Sequence, residues 1–192
     1  MLKELVMKTR THRRFYENIV VSKESLKELV DLVRVVPSMA NEQALKFILF
    51  YTKEDRDKIF PYLSWAGVLP DWNGPIEGER PAAYIMIICD KELGKNKQID
   101  AGIAAQTIML GATEKGLGGC ILGNIQRENL IQELNLEKER YSIELVVGLG
   151  KPKEKVMLTE VKEDGDVGYY RDENQVHYVP KRKLEDLIIE LH

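Results

Sequence analysis

Residues 99–123 read Ile99-Asp100-Ala101-Gly102-Ile103-Ala104-Ala105-Gln106-Thr107-Ile108-Met109-Leu110-Gly111-Ala112-Thr113-Glu114-Lys115-Gly116-Leu117-Gly118-Gly119-Cys120-Ile121-Leu122-Gly123, and the order of their two parts decides the class of fold. The small and apolar residues of 99–115 predict a helix that packs closely on more than one side. A dinucleotide-binding fingerprint needs a strand, then Gly-x-Gly-x-x-Gly, then a helix. Here the glycines come after a helix, and the spacing fails from both Gly116 and Gly118. Gly148-Leu149-Gly150 does follow a strand-like run, but Pro152 and Lys153 replace the rest of the pattern. No Rossmann site is indicated. Residues 116–123 read either as a helix stop with a tight turn or as exposed backbone amides beside a flat ligand, and composition favours the first.

Outward from this stretch, residues 82–89 are nearly all apolar and predict a central buried strand. Residues 45–51 and 141–148 predict two further strands, and 53–60 and 126–134 two helices. Ser22 caps a helix whose apolar face is Leu26, Leu29, Val30, Val33 and Val36, with Glu24 in its first turn and Pro37 as its stop. Leu2, Leu5 and Val6 mark a short helical first element. Residues 64–80, rich in glycine and proline, are long for a plain connection and suit a lid or partner-contact surface. Trp65 and Trp72 within them read as core anchors, interface residues or part of a substrate wall, and their place in a glycine-containing loop slightly favours interface or pocket packing. Residues 151–178 are polar and weakly periodic, and Pro180 precedes a basic, helix-like end through residue 191. With no repeat or linker, residues 1–192 are expected to form one α+β domain in which 151–192 is a long reaching tail.

A chain of 192 residues can bury a sizeable core without a disulfide or structural metal. Its formal charge of -3 argues against a broad nucleic-acid or acidic-lipid surface. Cys89 and Cys120 each sit in an apolar run, as core thiols do, and the three histidines form no ligand motif, so no metal site is expected. No signal-peptide core or membrane-length apolar run occurs, and a cytoplasmic location is expected.

Basic groups gather at both ends, in Arg10-Thr11-His12-Arg13-Arg14 and in Lys181-Arg182-Lys183. In an acidic chain they suit one anion-binding pocket, because guanidinium forks and a hydroxyl donor match phosphate oxygens. His12 reads as a surface or packing histidine. Asn41 and Gln43, in the loop Pro37-Ser38-Met39-Ala40-Asn41-Glu42-Gln43, either brace that loop or pair with the donor and acceptor edge of a heterocycle. Asp100 caps its helix or complements the dipole. No serine lies in a nucleophile elbow and no catalytic carboxylate pair is spaced for hydrolysis, so no catalytic side chain is assigned and a cofactor is expected to supply the reaction.

Taken together these motifs resemble the FMN-dependent nitroreductase family. Arg10-Thr11-His12-Arg13-Arg14-Phe15 is similar to its phosphate-contact motif, and residues 37–43 to its PSxxNxQ loop. Asp100 through Gln106 with Gly116-Leu117-Gly118-Gly119-Cys120 resembles its central helix and glycine turn, and Pro180-Lys181-Arg182-Lys183-Leu184-Glu185 its closing basic motif. Pro75-Ile76-Glu77-Gly78 resembles a flavin-contact sequence of one branch but stands before the 82–89 strand, the wrong place for that role. The resemblance implies a central, mostly antiparallel sheet flanked by helices, in an intertwined homodimer with FMN at the interface and the tail reaching cofactor or partner. It implies that Arg10, Thr11 and Arg13 approach the phosphate with help from Lys181 or Arg182. Asn41 would face the flavin pyrimidine, Gln43 would support the loop or ribityl side, and Gly118 and Gly119 would lie near the ring. The implied activity passes electrons from NADH or NADPH through flavin N5 to a nitroaromatic, quinone-like or other small acceptor. A non-enzymatic FMN- or nucleotide-binding regulatory module is the alternative.

Overall fold

The computed structural model describes residues 1–69, 72–94 and 97–190. In chain order the elements are α1 (Leu2–Lys8), β1 (Phe15–Tyr16), α2 (Lys23–Arg34), β2 (Leu45–Phe50), α3 (Lys53–Ile59), β3 (Ala83–Asp90), α4 (Lys97–Glu114), β4 (Gly118–Leu122), α5 (Arg127–Glu133), β5 (Tyr141–Pro152), β6 (Val156–Glu160), β7 (Tyr170–Arg171) and β8 (His177–Lys181). Among the described residues no helix is long and apolar enough to cross a membrane.

Strands β1, β5, β3 and β2 lie side by side, β4 also pairs with β5, and every pairing in this sheet is antiparallel. Both faces are covered, which explains the unbroken apolar sequence of β3. Alternate residues of a strand point to opposite faces. Ile85 and Ile87 therefore meet Leu26 and Leu29 of α2 and Ala104, Ala105 and Ile108 of α4. Tyr84, Met86 and Ile88 face Ile59, Leu130 and Ile131 on the other side. Small residues let α4 approach closely: a Cβ on Gly111 would stand 2.6 Å from Leu32 of α2. Both cysteines are buried, and burial pushes the Cys120 thiol up to about 12.

Three expectations are corrected. The run 116–123 is not a tight turn after its first residues. Gly116, at a φ of 72°, closes α4 while Leu117 N–H donates to the Ala112 carbonyl at 2.9 Å and Gly116 N–H to that of Thr113 at 3.0 Å. From Gly118 the chain is strand β4. The polar tail is also structured: β6, β8 and β7 form a second sheet, with β6 parallel and β7 antiparallel to β8. The basic end is not a long helix. It continues β8 to Lys181, and a single short 3-10 turn follows at Glu185–Leu187, with residue 191 outside the described residues.

Of the segment 64–80, residues 70 and 71 lie outside the described residues. Trp65 is a core anchor, 8% exposed and 5.9 Å from the Phe60 ring. Trp72 packs on the same cluster and carries the Arg171 guanidinium 4.3 Å above its ring.

Candidate functional site

At the C-terminal end of α4, Thr9 Oγ1 donates to the Leu5 carbonyl and lies 3.0 Å from Thr113 Oγ1, which seats the N-terminal segment on the helix. The chain then runs beside β4, where His12 N–H donates to the Gly119 carbonyl at 2.8 Å and Thr11 bridges to Gly119. This close approach requires glycine at 118, where a Cβ would stand 2.6 Å from His12 Nδ1, whereas a Cβ on Gly119 would stand 2.6 Å from Met109 Sδ of α4. Gly118 and Gly119 are both buried beneath the segment that carries Arg10, Thr11 and Arg13.

The opposite wall comes from the C-terminal sheet. His177, Val179 and Lys181 alternate along β8 and so share one face. Together with Val156, Tyr169, Thr9, Arg10, Thr11 and Arg13 they enclose a pocket of about 260 Å³. Arg10, Thr11, Arg13 and Lys181 thus meet in one place, although they stand at opposite ends of the chain. Arg182 lies beyond the strand and outside this lining, and Arg14 turns away to Glu79 Oε2 at 2.8 Å and Gln175 Oε1 at 3.1 Å. Glu79 also accepts from Lys153 at 2.9 Å; burial pushes its carboxyl up, but the hydrogen bonds from Lys153 and Arg14 outweigh this and hold it below its ordinary range.

Glu154 ties the two walls together. One carboxylate oxygen accepts from the backbone N–H groups of Arg13 and Arg14, and the other accepts from Arg171 Nη2 at 3.0 Å. The Glu154 and Arg171 side chains are only 1% and 10% exposed. His177 is buried as well, and burial, with Arg13, Arg171 and His12 nearby, pushes its pKa down to about 4 against the pull of Glu154. Burial likewise lowers the pKa of His12, despite Glu154.

Among the described residues no carboxylate lines the pocket, while Arg10, Arg13 and Lys181 do. Arg10 Nε and His177 Nδ1 are buried without a hydrogen-bond partner among the described residues. A buried unpaired donor costs about 1–3 kcal/mol. Donors left open around a cationic pocket suit an oxyanion, a phosphate monoester above all.

The loop 37–43 stands at the other end of α4. Asp100, 5% exposed in the first turn of that helix, accepts from Met39 N–H at 2.9 Å. Ala40, Asn41 and Gln43 have φ of 51°, 55° and 48°, left-handed conformations that asparagine tolerates and the other two do not. Such strain is stored where surrounding contacts over-determine the backbone, as functional loops do. Gln43 lines a separate cavity of about 340 Å³ with Ser38, Asp100, Lys27 and Phe47. From Asp100 to Thr113 the helical rise is about 20 Å, so within one protomer Asn41 and Gln43 are not brought to the pocket of Arg10 and Lys181.

The Nitroreductase family model matches residues 6–71 and 80–151. The chain belongs to the nitroreductase family. The curated relative named "Putative NAD(P)H nitroreductase YdgI", from Bacillus subtilis, is 26% identical over 187 residues, covering 76% of this chain and 86% of its own. The structure of an FMN-dependent nitroreductase from Clostridium difficile R20291 is 28% identical with a TM-score of 0.64, covering 79% of this chain and 87% of its own. A "putative nitroreductase in complex with FMN" from Desulfovibrio desulfuricans shares the nitroreductase fold at 21% identity and a TM-score of 0.73, covering 100% of this chain and 96% of its own.

Sequence reading missed Glu154, Tyr169 and His177, all beyond the residues that the family model matches. The alternation His177, Val179, Lys181 was the available signal. Pro180 masked it, because proline argues against a strand unless it sits where no partner needs its N–H. That is its place here: β7 pairs with β8 only at His177 and Tyr178.

Proposed function

We propose that this nitroreductase-family chain is an FMN-dependent oxidoreductase, acting as a homodimer, that carries electrons from NADH or NADPH to a nitroaromatic, quinone-like or other small acceptor. The observation that carries this reading is the pocket where the two chain ends meet, which is cationic, free of carboxylates in its lining and supplied with unpaired buried donors. The FMN dependence named for the Clostridium difficile relative supports it.

Arg10, Arg13 and Lys181 would hold the FMN phosphate by charge-assisted hydrogen bonds, with the Thr11 hydroxyl as a further donor. Val156 and Val179 in the same wall keep water off these contacts and so strengthen them. Gly118 lets the cradle segment lie close against β4, and Gly119 lets Met109 of α4 do so. When bound, FMN supplies the hydride and electron-transfer chemistry that no side chain here provides.

The exposed stripe Ile99, Gly102, Ile103 and Gln106 on α4 supports the dimer. Because the loop and the cradle lie at opposite ends of α4, two copies packed with these helices antiparallel would carry Asn41 and Gln43 of one protomer to the cradle of the other. The test is the absorbance spectrum of freshly purified protein. A flavin spectrum that bleaches with NADH or NADPH and returns with a nitroaromatic or quinone is expected, whereas protein with no flavin and no FMN affinity contradicts the proposal.

A further inference from the structure

We infer that His177, on the C-terminal sheet beyond the family-matched residues, is a direct phosphate ligand that donates through Nδ1–H and reads the phosphomonoester end of the cofactor. The inference deepens the proposed function and rests on it.

The contact that assigns the tautomer is Arg13 Nη1, 3.4 Å from His177 Nε2. A guanidinium can only donate, so this contact assigns Nε2 as acceptor and the ring proton to Nδ1. That Nδ1–H is buried and without a partner. The ring belongs to the lining of the 260 Å³ pocket, on the same strand face as Lys181 and opposite Arg10 and Thr11.

The neighbours hold the ring in place rather than satisfy it. The Tyr169 ring stands 5.1 Å from that of His177, and the Arg13 guanidinium lies 4.6 Å from the Tyr169 centroid. Glu154 fixes Arg171, and Arg171 pairs with His177 across β7 and β8. The depressed pKa keeps the imidazole neutral near pH 7, so Nδ1 donates while Nε2 accepts from Arg13. A phosphate oxygen brought against the ring would supply the acceptor that the donor lacks.

Two amide substitutions separate the ring nitrogens. The amide of asparagine falls near the position of Nδ1 and that of glutamine near Nε2. Binding of FMN and of riboflavin is measured by flavin fluorescence for the parent, His177→Asn and His177→Gln. Loss of a donor to a charged oxygen predicts that His177→Gln weakens FMN by about tenfold or more. His177→Asn should lose clearly less, and riboflavin should distinguish neither variant from the parent. Equal FMN affinity for parent and His177→Gln overturns the inference, as does a loss shared by FMN and riboflavin. The parent itself gives a second readout in long-range imidazole 1H–15N spectra. An Nδ1–H tautomer whose resonance shifts on addition of FMN but not of riboflavin is expected, and an Nε2–H tautomer or an unmoved resonance sinks the idea whatever the variants do. If the parent binds no FMN, the proposed function falls with the inference; if it binds FMN while His177 stays silent, only the inference falls.

Discussion

Strand β3 buries all eight of its residues between two helical layers, whereas β8 in the C-terminal sheet buries only His177 and leaves the rest half-covered or exposed. The first sheet is held by apolar area on both faces. The second is held by a polar network in which the Glu154 carboxylate accepts from Arg171 Nη2 and from two backbone amides. The comparison teaches a division of labour. The central sheet and α4 set where the cradle stands, and the small sheet brings charge and hydrogen-bond donors to it. Apolar burial is forgiving of small rearrangements, but a buried ionic network fails when one member is removed.

The largest effect should come from the polar side of this contrast. Glu154→Ala leaves Arg171 and the amides of Arg13 and Arg14 without their acceptor, and breaking such a buried pair costs about 3–5 kcal/mol. Chemical denaturation should show this loss, together with weaker FMN binding. A change below about 1 kcal/mol, the range of exposed ion pairs, would mean that the network is incidental.

On the apolar side, Ile85→Ala removes a fully buried side chain from the α2 and α4 face, at a cost of roughly 2–5 kcal/mol. The preference for FMN over riboflavin should survive this substitution, since the cradle residues are untouched. A lost preference would show that the two sheets do not divide position from chemistry.

Removing the acceptor that ties the 37–43 loop to α4, by Asp100→Ala, loses the Met39 N–H bond at about 0.5–1.5 kcal/mol. Hydrogen exchange should accelerate in the loop while β4 and β8 remain protected. Acceleration throughout would contradict the separation of the two ends of α4.

Acid sharpens the comparison further. The folded-state pKa of His177, about 4, lies below its ordinary 6.5, so the unfolded chain takes up this proton first as pH falls. Stability from this group is complete above about pH 6.5 and is lost between about 6.5 and about 4, because the unfolded state binds more protons there. Melting of the cofactor-free protein should decline across that window. His177→Asn should flatten the decline without abolishing it, since His12 is depressed in the same direction. The smallest expected effect has the opposite sign. Ala40→Gly relieves a left-handed conformation and should stabilise by about 1 kcal/mol.

The central sheet was legible because burial on both faces leaves an unbroken apolar run, as at 82–89, and the amphipathic face of α2 announced itself through Leu26, Leu29 and Val33. The convergence of Arg10, Thr11, Arg13 and Lys181 was legible as one of two readings, since basic groups at both ends of an acidic chain suit a shared anion or, as Arg14 does with Glu79, separate partners. The run 116–123 misled because glycine composition reads as a turn, while the true demand is close approach between Gly118 and His12, which stand far apart in sequence. The C-terminal sheet was illegible for two reasons. Its short, half-exposed strands carry only the brief alternation of His177, Val179 and Lys181, masked by Pro180, and the parallel pairing of Val156 with His177 joins segments with no local signal of each other. Nothing in residues 37–43 announced that Ala40 and Gln43 would be left-handed, because tertiary contacts such as Met39 to Asp100 impose it.

The most direct test of a phosphate held by both chain ends is the ratio of FMN to riboflavin affinity in the parent, Arg13→Ala, Lys181→Ala and the double variant. Charge-assisted contacts predict that the parent prefers FMN by about a hundredfold, that each single variant loses about tenfold or more of that preference, and that the double variant loses most of it. Equal affinity for FMN and riboflavin in the parent, or a preference that either substitution leaves intact, would contradict the account.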